Sequence, residues 1–261
     1  MLDWTAILPN AIWAVVGGTL AFTWTRFQKW HKNRGHRSIF SGLEGPTLFV
    51  FPPRPPTDST TLPHMAIEDF LAINNIISAY LLVGKAPPSR MRDVERLTYQ
   101  DMVQNNLILI CSSKSNTVTG EALAKLRPRN SIYQSFLPCF EDVEQAQNEL
   151  RIVCNDVQFL SKSYRQGGPA LNDMAMIVKC PNPWAPQRKL LIVAGIRGIG
   201  TWGAAEFLKK GWKELYDKKD KSRSRGTSAG GDFAAIVSVH YENYDIVKVT
   251  LERVVDLDQH P

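Results

Sequence analysis

The chain has 261 residues, of which 44% are hydrophobic and 21% are charged. These values are ordinary for a globular protein and exclude a collagen-like or a mostly disordered chain. The formal net charge is +6, but five basic residues fall within twelve positions: Arg26, Lys29, Lys32, Arg34 and Arg37. Without them the chain is almost neutral, so the basic excess is local and does not indicate a nucleic-acid-binding protein.

An uncharged run lies near the N-terminus, between Asp3 and Arg26. At about 1.5 Å per residue it spans roughly 30 Å, the thickness of a bilayer hydrocarbon core. Trp4 and Trp24 lie at its two ends, where an indole prefers the headgroup region. The basic residues follow the run, whereas in a signal peptide they precede it. The run therefore predicts a single transmembrane helix, with a buried core helix as the alternative.

The positive-inside rule keeps the part that follows the basic residues in the cytoplasm and places the short N-terminus outside. We therefore predict a single-pass protein of the inner (cell) membrane. Residues 1–37 form the transmembrane helix and a basic juxtamembrane segment, and residues 38–261 form a cytosolic domain. Small residues one turn apart, such as Ala14 and Gly18, favour a homo-oligomer in contact with membrane lipid, although they are common in any span.

The cytosolic part alternates between strand and helix patterns. Apolar runs predict strands at 46–51, 106–112, 151–154, 174–178 and 189–194, and helical spacing predicts helices at 65–83, 117–126 and 202–216. The segments 233–239 and 246–255 alternate like an antiparallel strand pair. The predicted fold class is α/β: after the transmembrane helix, a mostly parallel sheet with helices on both faces and a C-terminal antiparallel strand pair.

The cysteines give no sign of a metal site. Cys111, Cys139, Cys154 and Cys180 form no CxxC pair, and no histidine lies near them in the sequence. Cys111 and Cys154 fall in apolar runs, which predicts buried thiols in a reducing compartment. We expect no metal and no cofactor.

Two loops follow predicted strands and open predicted helices, where the ligands of such sheets bind. In the first loop, 111–117, hydroxyl groups, Lys114 and backbone amides are suited to an anionic ligand. Serine and asparagine are equally favoured as helix N-caps, and this alternative stays open. The candidate ligand-binding residues of this loop are Ser112, Ser113, Ser115 and Asn116.

The second loop, 195–201, is rich in glycine, which lets a backbone approach a ligand closely. Arg197 is suited to pairing with a phosphate, and Thr201 to capping the following helix. The alternative is a turn that only packs the helix on the sheet. The candidate ligand-binding residues here are Gly195, Arg197, Gly198, Gly200 and Thr201.

The pairing of 106–113 (Asn-Leu-Ile-Leu-Ile-Cys-Ser-Ser) with 193–201 (Val-Ala-Gly-Ile-Arg-Gly-Ile-Gly-Thr) resembles the Rossmann-like nucleotide-sensing domains of the SLOG superfamily. The resemblance covers residues 47–210 and implies a Rossmann-like fold. It also implies that Ser112, Ser113, Gly198, Gly200 and Thr201 face a nucleotide. Those domains are often joined to enzymatic or membrane-spanning effector segments in bacterial antiviral systems. The sensor domains for cyclic oligoadenylates in CRISPR systems stay an alternative.

Three functions follow from these features. The favoured one is a membrane-anchored sensor or effector that binds a nucleotide-like signal or a cytosolic protein partner, oligomerises and perturbs the membrane, in antiviral defence as the resemblance implies. The second is a membrane-tethered nucleotide or NAD glycosidase, with Glu206 or Asp173 as its carboxylate. Glu206 lies five residues beyond Thr201, whereas the phosphoribohydrolases that the loop resembles have three. The third is a non-catalytic membrane adaptor, and the sequence has no complete catalytic constellation.

Overall fold

A computed structural model of the chain describes residues 19, 22–26, 37, 39–54, 65–127, 136–143, 150–161, 172–215, 217 and 231–259. The chain divides into two units, Met1–Gly35 and His36–Pro261. In the first unit the described residues are helical. There the Thr23 hydroxyl donates a hydrogen bond of 2.9 Å to the backbone carbonyl oxygen of Thr19, one turn earlier.

No helix in the part of the chain that the structure describes is long and apolar enough to cross a membrane. The predicted transmembrane helix and the predicted single-pass inner-membrane location are therefore wrong. Of the run between Asp3 and Arg26, only residues 19 and 22–25 are among those described. The run lacks charge, but it contains Asn10, Pro9 and four threonines. Absence of charge was a weaker signal than the high mean hydropathy that a span requires.

The second unit holds ten described strands. They are β1 (Thr47–Phe51), β2 (Arg90–Asp93), β3 (Asn106–Ile110), β4 (Cys139–Asp142), β5 (Leu150–Cys154), β6 (Val157–Leu160), β7 (Asn172–Asn182), β8 (Ala185–Gly195), β9 (Phe233–Glu242) and β10 (Asp245–Asp256). The α-helices of this unit with both ends among the described residues are α1 (Ile67–Leu82), α2 (Tyr99–Gln104), α3 (Thr117–Leu126) and α4 (Gly198–Lys210). Short 3-10 helices cover Val94–Arg96 and Leu257–Gln259.

Seven strands form one sheet in the order β10-β9-β7-β8-β3-β1-β2, and β4, β5 and β6 form a separate antiparallel sheet. The large sheet is mixed, so the prediction of a mostly parallel sheet is wrong. β2, β1, β3 and β8 run parallel, whereas β8, β7, β9 and β10 pair antiparallel. The physical reason is the two-residue turn at Pro183 and Trp184. A connection this short reverses the chain and cannot carry a parallel crossover.

The large sheet is covered on both faces by apolar side chains that alternate along the strands. In β3, Ile108 and Ile110 point to a first face, which α1 and α4 cover. Leu107 and Leu109 point to a second face, which α3 and β5 cover. All four side chains are fully buried, and burying each one stabilises the fold by on the order of 2 kcal/mol.

The carboxyl ends of β1 and β3 form the point where the connections diverge. These two strands are neighbours, but β1 leads through α1 to β2 on one side, and β3 leads towards β8 on the other. In open α/β sheets, ligands bind beyond the carboxyl ends of strands at such a switch point. Loops after β1, β3 and β8 therefore build the edge of the sheet where a site is expected.

Candidate functional site

Asn116 of the first loop is a structural residue. Its side-chain Nδ2 donates to the carbonyl oxygen of Ile110 at 2.9 Å and to that of Val50 at 3.3 Å. Its Oδ1 accepts a hydrogen bond of 3.3 Å from the backbone N–H of Thr119 and so caps α3. The side chain is fully buried. Both its donors and its acceptor are thus engaged in joining β1 to β3 and capping the helix.

The three serines of the first loop do not converge on one site. The carbonyl oxygen of Ser112 accepts hydrogen bonds from the backbone N–H groups of Ser115 and Asn116, at 3.1 and 2.8 Å. The Ser115 side chain forms a hydrogen bond with the sulfur of Cys111. Ser113 instead lies next to Gly120 of α3, so that a Cβ added at that glycine would come within 3.3 Å of the serine Cβ.

Ser113 lines a cavity of about 390 Å³ between α3 and β4. Arg127, Cys139 and Glu141 contribute polar groups to its wall. Burial raises the pKa of the Cys139 thiol, and the nearby Arg127 guanidinium offsets this in part. The thiol therefore stays protonated at neutral pH, which makes it a poor nucleophile.

The second loop is folded back on its own backbone. The Thr201 hydroxyl accepts a hydrogen bond of 2.9 Å from the backbone N–H of Gly195 and lies 3.4 Å from the carbonyl oxygen of Arg197. Thr201 is fully buried. A Cβ at Gly195 would lie 2.3 Å from the backbone nitrogen of Thr201. This glycine therefore permits a close approach within the loop itself.

Asp173 of β7 occupies the inner side of the second loop. Its Oδ2 accepts hydrogen bonds from the backbone N–H groups of Gly200 at 2.8 Å and Arg197 at 3.1 Å. Its Oδ1 accepts a bond of 2.9 Å from the N–H of Met174. The side chain is fully buried. Burial raises the pKa of Asp173 to about 6, against the opposing effect of the Met174 and Gly200 N–H groups and the Arg197 charge.

Gly198 begins α4 under the side chain of Glu68, which belongs to the first turn of α1. A Cβ added at Gly198 would lie 3.1 Å from the Cβ, Cγ and Cδ atoms of Glu68. The N-termini of α1 and α4 therefore meet here. The structure brings Arg197, Gly198, Gly200 and Thr201 together around this point.

Glu206 is one of the two carboxylates of the glycosidase hypothesis. In the structure its side chain links α4 to α1. Its Oε2 accepts a hydrogen bond of 2.9 Å from Nδ2 of Asn75 in α1, and its other oxygen forms an ion pair with Lys210. Lys209 donates to Oδ1 of the same asparagine at 3.2 Å. Glu206 also lies two turns into α4, away from the loop. These contacts give it a role in packing α1 against α4.

Asp69 is a residue that the sequence analysis missed. It lies in the first turn of α1 and is 3% exposed, and its Oδ1 has no hydrogen-bond partner within the described ranges. Burial raises the pKa of Asp69 to about 6, and the neighbouring Glu68 raises it further, whereas Arg54 beyond the end of β1 lowers it. The signal was present in the sequence. Asp69 takes a position on the buried stripe of the helix, three residues before Ala72, where an apolar residue is expected.

Cys111, directly after β3, holds an unusual backbone conformation. Its φ angle is +83°, in the left-handed region that favours glycine. Burial, and then the nearby Asp69 carboxyl group, raise the pKa of the Cys111 thiol to about 12. The thiol is therefore protonated at neutral pH. Such strain in a non-glycine residue persists where the surroundings enforce it, often at a functional site.

These groups define one location, here called the carboxyl-edge site. It consists of Arg54, Glu68, Asp69, Cys111 and Gly198, contributed by the segments that follow β1, β3 and β8. Arg54 is exposed and Glu68 and Gly198 are partly exposed, so solvent reaches one side of the site. All four cysteines of the chain are buried and unpaired by disulfides, which confirms the prediction of buried thiols.

No model of a known protein family matches this chain, and no curated protein matches it either. The resemblance to SLOG nucleotide-sensing domains stays a prediction. The nucleotide-binding and antiviral descriptions that it implies gain no support.

Proposed function

We propose that the His36–Pro261 unit binds a small molecule rich in hydrogen-bond donors at the carboxyl-edge site. The observation that supports this is the buried Asp69 carboxyl group, whose Oδ1 has no partner in the part of the chain that the structure describes. A buried acceptor without a partner costs about 1–3 kcal/mol. A hydroxyl or amino group of a ligand satisfies that acceptor.

The position of Asp69 supports the same proposal. Its neighbours Arg54 and Cys111 follow β1 and β3, the two strands between which the chain connections diverge. Ligands of such sheets bind beyond the carboxyl ends of the strands, and Asp69, in the first turn of α1, lies at this edge of the sheet. The ligand class is therefore a hydroxyl- or amine-bearing small molecule.

This proposal retains ligand binding from the sensor hypothesis and drops membrane perturbation. Membrane perturbation depended on the transmembrane helix, which the structure contradicts. The candidate residues also change. Asn116 and Thr201 hold the edge together from inside, whereas Asp69 is the residue that contacts the ligand.

The experiment is thermal unfolding of the full chain against a panel of nucleosides, free sugars and small amines. A compound at a hundred times its dissociation constant adds about 2.7 kcal/mol to the free energy of unfolding, a shift of several degrees. Asp69→Leu removes both acceptor oxygens and keeps a similar side-chain volume. Asp245→Asn is the matched control, because Asp245 is exposed at the start of β10.

A shift in the wild type and in the control, lost in Asp69→Leu, supports the proposal. An equal shift in Asp69→Leu places the ligand elsewhere. No shift with any compound contradicts the proposed function.

A second candidate function is catalysis at the same carboxyl group. The pKa of Asp69, raised by burial to about 6, lies close to neutral pH, as suits a general acid or base. The test is product analysis after incubation of the panel with wild type and Asp69→Asn. Conversion by the wild type alone would favour an enzyme, whereas binding without conversion would favour a sensor.

A further inference from the structure

The second loop carries a built-in anion in the place where a ligand phosphate is expected. Backbone N–H groups at the N-terminus of a helix form a ready anion-binding site. At α4, the N–H groups of Arg197 and Gly200 already donate to Oδ2 of Asp173, at 3.1 and 2.8 Å. The carboxyl group of Asp173 therefore takes the position of a phosphate.

Asp173 is fixed in this position from several sides. Its second oxygen accepts a bond of 2.9 Å from the N–H of Met174, and the side chain has no exposed surface. Gly200 approaches so closely that an added Cβ would lie 2.5 Å from Oδ2. A ligand phosphate would have to displace a buried group that makes three hydrogen bonds to backbone N–H groups.

Two further carboxyl groups face the same helix end from α1. Glu68 packs against Gly198, and Asp69 lies beside Glu68 and Cys111. The described cations beside these acids are Arg54, next to Asp69, and Arg197, next to Asp173. Three acids and two cations leave the site without a positive excess, and like charges repel a phosphate ester.

We infer that Asp173 is a specificity-determining residue that excludes phosphorylated ligands. The carboxyl-edge site then selects a neutral or cationic compound over the phosphate ester of that compound. This inference rests on the proposed function. Asp173 acts through the loop backbone and is a positioning residue. The same carboxyl group explains why a loop of this sequence, with glycines and an arginine before a helix, does not need a phosphate to hold its shape.

The test compares matched pairs by calorimetry on the full chain: adenosine with adenosine 5′-monophosphate, ribose with ribose 5-phosphate, and glucose with glucose 6-phosphate. Inorganic phosphate is added as a separate probe, to the wild type and to Asp173→Ser, whose shorter side chain vacates the loop amides. We expect an unphosphorylated member to bind at least tenfold more tightly than its ester. We also expect inorganic phosphate to stabilise Asp173→Ser but not the wild type.

The outcomes separate the inference from the proposed function. An ester that binds as tightly as its unphosphorylated partner overturns the inference and leaves the proposed function standing. If no pair member binds and no compound of the unfolding panel shifts the unfolding temperature, the proposed function fails. The inference is then tested on the wild type alone. If inorganic phosphate stabilises the wild type, the inference is wrong, whether or not Asp173→Ser folds.

Discussion

The side-chain amide of Asn116 donates a hydrogen bond of 2.9 Å to the carbonyl oxygen of Ile110, the last residue of β3. The same nitrogen reaches the carbonyl oxygen of Val50 in β1. One side chain therefore holds together the two strands whose carboxyl ends carry the site, and it also caps α3. A residue that the loop pattern marks as ligand-binding therefore has a structural role between two strands.

Asn116→Ala is expected to lower the free energy of unfolding by about 2–4 kcal/mol, because it removes a helix cap and leaves buried carbonyl groups without a donor. Urea unfolding measures this. The control is Asn74→Ala, since Asn74 is exposed on α1 and should change stability by less than about 0.5 kcal/mol. Equal effects of the two substitutions would contradict the structural role of Asn116.

Gly200→Ala is expected to destabilise the fold by about 2 kcal/mol or more, since its Cβ would lie 2.5 Å from Oδ2 of Asp173 and 3.0 Å from the carbonyl oxygen of Met174. The matched substitution is Gly120→Ala inside α3, where the nearest atom is the Ser113 Cβ at 3.3 Å. There the gain in helix propensity offsets the crowding, and the stability should stay nearly unchanged. If Gly200→Ala is tolerated as well as Gly120→Ala, Asp173 does not hold the loop as described.

Asp69→Asn is expected to make the protein more stable at neutral pH. The folded-state pKa of Asp69 is raised by burial from its ordinary value of 3.8 to about 6. The wild type therefore loses stability as the pH rises from about 4, where the unfolded chain ionises, to about 6, where the buried group ionises. The uncharged amide avoids that loss, so the variant gains about 3 kcal/mol above pH 7 and little below pH 4. Chemical unfolding at several pH values measures the difference.

A gain that is the same at all pH values, or a loss of stability at neutral pH, would show that Asp69 is a satisfied structural residue. The control Asp245→Asn should show no such pH dependence. A group whose removal stabilises the fold is typical of a functional site.

Cys111 offers a test of backbone strain. Replacement by glycine normally costs about 0.5–1 kcal/mol relative to alanine, but the φ angle of +83° at Cys111 reverses the order. We expect Cys111→Gly to be more stable than Cys111→Ala by about 1 kcal/mol. Thermal unfolding of the two variants decides this. Higher stability of the alanine variant would contradict the left-handed conformation.

Several elements of the fold were predictable because their signals are local. The continuous apolar run of β3 and the apolar spacing of α1 each lie within a single element. β2 was missed because its sequence, Arg-Met-Arg-Asp, is that of an exposed edge strand. The prediction of a mostly parallel sheet did not use the short turn between β7 and β8, which is a local signal. The antiparallel pairing of β7 with β9 was not predictable in this way, because it joins segments far apart in the chain.

The site was harder to predict than the fold. The sequence marks the residues of the two loops but does not say what their polar atoms bind. The N–H groups of Arg197 and Gly200 are bound to Asp173, more than twenty residues earlier in the chain. Only the folded structure brings the two together. Asp69 was missed for a different reason. It is a single acid within an apolar helical pattern, and such an acid is easily taken for a solvated residue.

The most direct test of the central claim is an NMR titration of the Asp69 side-chain carboxyl carbon, assigned by its disappearance in Asp69→Asn. It is run on the full chain with and without saturating adenosine, or the panel compound that raises the unfolding temperature most. We predict a pKa of about 6 for Asp69 in the free protein, lowered by about one unit or more when a ligand hydroxyl or amino group donates to the ionised form. A bound compound that leaves this titration unchanged, or a free protein in which Asp69 titrates at its ordinary value, would contradict the account.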